Sequence, residues 1–156
     1  MSKLASVIPC ALLLVGVAIV VEAAPPGVVA ASSDDLAWTE VKGRDGAPMG
    51  LRTVDLWGQA AKGAHGSLTK FPAGLAEPLH THSRELRVVV VAGTMAFSID
   101  GAETKDLRPG AFVSIPAGVR HAAICRPAAA CEVFLEQAGA MDVKFVERRE
   151  TAPARR

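Results

Sequence analysis

Apolar positions along this chain recur in short alternating runs broken by glycine and proline, a period of two that belongs to strands. Residues 36–41 and 50–56 read as the first strands, around a charged, glycine-rich loop at 43–50. In the second, Leu51, Thr53 and Asp55 alternate with Arg52, Val54 and Leu56, so one face is more apolar than the other, and Trp57-Gly58 ends the run. Residues 63–71 form the next strand, and Pro72-Ala73-Gly74 turns the chain. Residues 86–92 contain four consecutive valines in a nearly unbroken apolar run, which predicts a strand covered on both faces. Residues 93–99 alternate again and lead into Asp100-Gly101, a hairpin dipeptide, and Arg108-Pro109-Gly110 supplies another turn. Residues 122–125 and 132–136 are expected to pair as a hairpin, with 142–146 as a last strand. There is no sustained helical period and no internal repeat. Short strands at regular spacing with glycine and proline turns predict an all-β barrel or double-sheet roll.

The two ends of the chain modify this picture. Residues 1–23 carry Lys3 as their only cation, an apolar run at 11–21, and Val21-Glu22-Ala23 before Ala24, the pattern of a cleaved secretory signal peptide. The competing reading is a membrane anchor, but the apolar run from Val7 to Val21 is interrupted by Pro9 and is short of the roughly 20 residues a span needs. Cys10 precedes that run, which argues against a lipoprotein. The expected location is therefore secreted or periplasmic, with no membrane association once the signal is removed. Residues 24–35 have linker composition, 36–146 form the expected single domain, and 147–156, with Pro153 and four arginines, read as a disordered tail. Cleavage removes Lys3 and Glu22 together and leaves the net charge at +1, which excludes a nucleic-acid partner on electrostatic grounds. Export also bears on Cys125 and Cys131, which flank a five-residue loop. Two buried thiols are one reading; an oxidising compartment favours a disulfide.

Three of the four histidines stand out by spacing. In Pro78-Leu79-His80-Thr81-His82 the two imidazoles lie two positions apart, so on a strand they share a face. His121 follows a short apolar strand that ends in a proline and glycine turn, Pro116-Ala117-Gly118, and can return across the sheet. Gly74, His80, His82 and Gly93, then Gly110, Pro116, Gly118 and His121, fall at the spacings of two motifs of the cupin superfamily, which this chain resembles. Two positions depart from the motifs. Cys125 stands where the family often has Asn, and Leu86 occupies the slot of the usual Glu ligand, with Glu85 one position early. The resemblance implies a cupin-type double-stranded β-helix, or jelly-roll barrel, and a small-molecule enzyme of dioxygenase, isomerase or lyase type. Three neutral imidazoles at His80, His82 and His121 suit a divalent transition metal (Fe, Mn, Zn, Ni or Cu) and leave coordination positions open. The plainer alternative is three barrel-lining histidines bonded to one another or to water.

Further residues are candidates for moving protons. If the alternation continues past His82, Arg84 and Leu86 face inward and Glu85 outward; one bulge residue reverses this and admits Glu85 as a fourth ligand or general base. His65, on the preceding strand, is a second candidate acid or base, although an exposed histidine is the commoner case. Lys70 and Arg120 flank the motifs and suit a substrate carboxylate or, more simply, solvated strand ends. Met95, Phe97, Phe112 and Ile115 are expected to line the interior. The functional alternative to an enzyme is a non-catalytic module that binds a metal or small ligand. The valine-rich strand also suggests a homodimer, because an apolar strand face invites pairing.

Overall fold

A computed structural model describes residues 27–43, 45–100 and 102–146; the expected signal peptide and C-terminal tail lie outside the described residues. Residues 27–34, the described part of a first unit, are exposed, and a 3-10 turn spans Ser33–Asp35. The second unit starts at Asp35 and carries all the strands. These are β1 (Thr39–Lys42), β2 (Pro48–Gly58), β3 (His65–Phe71), β4 (His80–Thr81), β5 (Leu86–Ala92), β6 (Met95–Ile99), β7 (Lys105–Leu107), β8 (Phe112–Ile115), β9 (His121–Cys125), β10 (Cys131–Gln137) and β11 (Lys144–Phe145). They make two antiparallel sheets, one ordered β1-β2-β3-β10-β5-β8 and the other β11-β4-β9-β6-β7. Among the described residues no helix is long and apolar enough to cross a membrane.

Strict alternation gives the larger sheet two distinct faces. Ser67, Thr69 and Phe71 of β3, Val133 and Gln137 of β10, and Leu86, Val88 and Val90 of β5 are buried on the inner face. Registry aligns Thr69, Val133 and Val90 in one row across the three strands, with Ser67, Leu135 and Val88 in the next. The smaller sheet closes against them through Met95, Phe97 and Ala123. Removing side chains of this size from water contributes about 1.5 to 3 kcal/mol each for the larger ones, which makes this interior the main source of stability.

The valine strand is covered by this chain on one face, where Val88 and Val90 are buried; Val91 is 46% exposed, on the face expected to meet a second sheet or subunit. Two sequence expectations are corrected by this topology. Residues 122–125 and 132–136 do not pair as a hairpin. β9 pairs with β4 and β6 in the small sheet, whereas β10 pairs with β3 and β5 in the large one, so the link between them crosses from sheet to sheet. Phe112 is 60% exposed, because it stands three positions before the inward Ile115 on β8 and alternation sends the two to opposite faces. The three-residue strand β7 has no expected counterpart; Lys105, Asp106 and Leu107 carry too little apolar signal to mark it.

Cys125 and Cys131 are joined by a disulfide with a Cα–Cα distance of 5.8 Å, so the bond clips the end of one sheet to the start of the other. Gly93 lies against it. Its φ of 75° favours glycine, and a Cβ there would sit 2.6 Å from the Ala130 carbonyl oxygen and 2.8 Å from Cys131 Sγ. The covalent loop is short, so its stabilisation through chain entropy is modest. The paired substitution Cys125→Ala with Cys131→Ala is expected to lower the unfolding free energy by about 2 kcal/mol in urea titrations under non-reducing conditions.

Candidate metal centre

His80 opens β4, His121 opens β9, and the two are direct partners across the ladder; His82 follows two positions after His80. Gly118 prepares this pairing: at a φ of 77° it turns the chain into β9, and its N–H donates to the His82 carbonyl at 2.9 Å. All three imidazoles are buried, with ring centroids 4.3 Å apart for His80 and His121, 5.0 Å for His80 and His82, and 5.2 Å for His82 and His121. One ligand atom from each comes within 4.8 Å of the others.

The hydrogen bonds define which nitrogen is available. His80 Nδ1 lies 2.7 Å from the Pro78 carbonyl and His121 Nδ1 lies 3.0 Å from the Val119 carbonyl, both two residues upstream, while His82 Nδ1 contacts the Asp142 carbonyl. A carbonyl only accepts, so each Nδ1 carries the proton and each Nε2 keeps a lone pair. Burial holds all three pKa values below the ordinary imidazole range, against the opposing pull of these carbonyls, and keeps the rings neutral. Three neutral, oriented Nε2 donors converging from two strands fit a divalent transition metal.

The distant partner of His82 is itself held in place. Ser83 donates from its N–H at 2.9 Å and from its hydroxyl at 2.6 Å to the two Asp142 carboxylate oxygens, and those bonds lower the Asp142 pKa. Lys144 donates to the Ser83 hydroxyl at 2.6 Å, and β11 pairs with β4. The C-terminal strap therefore completes the orientation of one imidazole.

The centre opens onto a cavity of about 210 Å³ between the sheets. Its walls are mainly apolar, including Leu51, Phe71, Val88, Met95, Phe97 and Val133, with hydroxyls from Thr53, Ser67 and Thr69. Besides the three histidines its lining contains one ionisable side chain among the described residues, Glu77. The backbone N–H of Glu77 donates to the Ala123 carbonyl at 2.8 Å, beside an isolated bridge between Ala76 and Ile124, which fixes this segment along β9. Burial pushes its carboxyl up to about 7, and no hydrogen bond or charge among the described residues opposes that shift. Sequence reasoning missed Glu77. It stands three positions before His80, so regular alternation sends the two side chains to opposite faces; only the irregular backbone around Pro78, ahead of β4, brings both inward.

The other expected site residues lie elsewhere. Glu85 is exposed, accepts from the Ser114 hydroxyl at 2.6 Å and pairs with Arg87 at 3.2 Å, so it is neither ligand nor base; β5 begins at Leu86 with Leu86 inward and no bulge reverses the parity. Leu86 lines the cavity, leaving an apolar wall at the position of the usual Glu ligand. His65 is fully buried, contrary to the exposed placement expected for it, but it does not line the cavity; its Nδ1 meets the carbonyls of Gly63 at 2.9 Å and Gly139 at 3.2 Å. Arg120 pairs with Asp100 at 3.6 Å, and Lys70 pairs with Glu132 at 3.9 Å over the Trp38 ring. Neither lines the cavity.

The family model "Cupin domain" matches residues 67–135, a span that contains all three histidines. The chain belongs to the cupin superfamily. Solved structures agree in fold. The DMSP lyase DddQ from Ruegeria pomeroyi DSS-3 aligns with a TM-score of 0.57 and 22% identity, covering 71% of this chain and 61% of that one. The polyketide cyclase RemF from Streptomyces resistomycificus gives 0.60 and 21%, covering 79% and 88%. An RmlC-like cupin from Shewanella frigidimarina NCIMB 400 gives 0.58 and 20%, covering 72% and 91%. This cupin thus spans about three fifths of the length of the lyase. No curated protein sequence matches it.

The two kinds of titratable group in the cavity have opposite effects on stability. The imidazoles are harder to protonate folded than unfolded, so metal-free stability rises with pH up to about 6.5 and is lost below it. The Glu77 carboxyl holds its proton longer when folded, so its contribution is complete below 4.5 and is lost as pH rises to about 7. In urea titrations of the metal-free protein, Glu77→Gln is therefore expected to steepen the rise of stability with pH between these limits. An unchanged slope would show that the carboxyl titrates normally.

Proposed function

We propose that this cupin is a divalent-metal-dependent enzyme of lyase or isomerase type, acting on a small and largely apolar molecule. The observation that carries this reading is the convergence of three neutral imidazoles, each with Nε2 free, on an open apolar cavity. A bound ion would supply Lewis acidity at the positions the histidines leave open. The chain's own residues do the rest. His80, His82 and His121 hold the ion without adding negative charge, the carbonyls of Pro78, Val119 and Asp142 fix their orientation, and the apolar walls exclude water from bound substrate. Among the described residues no Lys or Arg lines the cavity, which suits a neutral substrate or one whose negative charge would be placed at the ion.

The lyase and the cyclase that share this fold support acid–base chemistry over the oxygenase reading. The Cys125–Cys131 disulfide supports work in an oxidising, exported setting. A homodimer is part of the proposal. Registry on the outer face of the large sheet aligns Val54, Leu68, Phe134, Val89 and Phe112 in one apolar row across five strands, a surface suited to a second copy.

Elemental analysis of the protein purified from its own compartment tests the reading. About one transition-metal ion per chain is expected, and His80→Ala with His82→Ala should abolish both metal and turnover in a lyase and isomerase substrate screen without oxygen uptake. Oxygen consumption coupled to turnover would move the assignment to an oxygenase. Unchanged turnover in the metal-free protein would remove the reading.

A further inference from the structure

We propose that Glu77 is the proton-transfer residue of this site and that the substrate is a small, enolisable carbonyl compound. The inference rests on the metal-dependent reading above and deepens it. Glu77 shares one cavity with the three imidazoles, its backbone is tied to β9 by the bond to Ala123, and among the described residues it is the one ionisable group of the lining outside the histidine cluster. Its carboxyl is not among the ligand atoms that cluster within 4.8 Å of one another, which come from His80, His82 and His121.

Several candidates for this role fail on placement. Glu85 is outside the cavity and already bonded to Ser114 and Arg87. The buried His65 has an unpartnered Nε2, and both side-chain amide atoms of Gln137, its neighbour across the ladder, are also unpartnered, but neither residue lines the cavity. Asp142 spends its carboxylate on Ser83.

The chemistry follows from the surroundings. The residues that share the cavity lining with Glu77 are neutral His80, His82 and His121, apolar side chains and hydroxyls, with no Lys, Arg or second carboxylate among the described residues. Desolvation without a counter-charge makes the carboxylate a stronger base than it is in water, and about 7 lies near the optimum for general acid–base work. Glu77 takes a proton from the carbon beside a carbonyl: the C–H bond breaks, its electron pair forms a C=C bond, and the carbonyl π pair moves to oxygen to give an enolate. Where the substrate carries a β,γ double bond the enolate extends over it, and returning the proton to the γ carbon moves the double bond into conjugation with the carbonyl, which completes an isomerisation. Atoms and electrons balance within the substrate and Glu77, with no oxidant, reductant or co-reactant.

The test uses the full chain with acetylacetone as a small enolisable probe. Three measurements are made on wild type, Glu77→Gln and Glu77→Asp: zinc stoichiometry, carbon-13 titration of the glutamate carboxyls in the metal-free protein, and deuterium uptake into the probe's central methylene. We expect one carboxyl resonance in the wild type to titrate near 7 and to be missing in Glu77→Gln. We also expect zinc-loaded wild type to exchange the methylene faster than free zinc, with an inflection below the metal-free value because a bound cation favours the carboxylate. Glu77→Gln should lose at least about 100-fold in exchange with zinc content unchanged, and Glu77→Asp should recover part of it. Exchange in Glu77→Gln at the wild-type rate, a Glu77 carboxyl titrating in the ordinary range, or wild type that holds zinc yet gives no acceleration would each overturn the proposal. Wild type unable to hold zinc would overturn the metal-dependent reading, and this inference with it, and the stoichiometry identifies that case.

Discussion

The constraint on which the rest of this protein depends is the crowding of three imidazoles in one desolvated cluster. Uncharged and unpaired, each ring would leave a polar N–H buried at a cost of roughly 1 to 3 kcal/mol. The fold removes that cost with backbone carbonyls, two of them local and one delivered by the C-terminal strap sixty residues away. The same bonds that satisfy Nδ1 leave Nε2 facing its counterparts. Satisfying the buried polar groups and building a ligand set are therefore one structural act, and β4, with only two residues, exists at the meeting point of both.

The remainder of the barrel serves that cluster from both sides. The large sheet supplies an apolar wall through strict alternation along β3, β10 and β5, and the disulfide beside Gly93 ties the start of β10 to the end of the strand that carries His121. Charged partners such as Arg87 with Glu136 and Lys70 with Glu132 are kept on the outer face. The interior is left with almost no fixed charge, a medium in which a single cation or carboxylate has a large effect. That is why the environment of Glu77 matters more to the chemistry than the larger number of surface carboxylates.

Much of this was legible in the chain. The period of two and the glycine and proline turns determined an all-β, two-sheet architecture, and the His-x-His spacing with the later Gly-x-x-His determined the histidine set, because both patterns are local and act through residues a few positions apart. The tertiary structure decided what depends on irregular backbone or on partners distant in sequence. It sent Glu85 outward and Glu77 inward, because the segment ahead of β4 departs from alternation while the start of β5 does not. It placed β9 and β10 in different sheets although their connection has the composition of a hairpin, because long-range pairing with β3, β5 and β6 outweighs that local turn signal. It exposed one face of the valine strand, since four adjacent valines cannot all point the same way on a pleated backbone. Which side chains are apolar or can bind a metal is written residue by residue; which of them meet is set by packing across the whole chain.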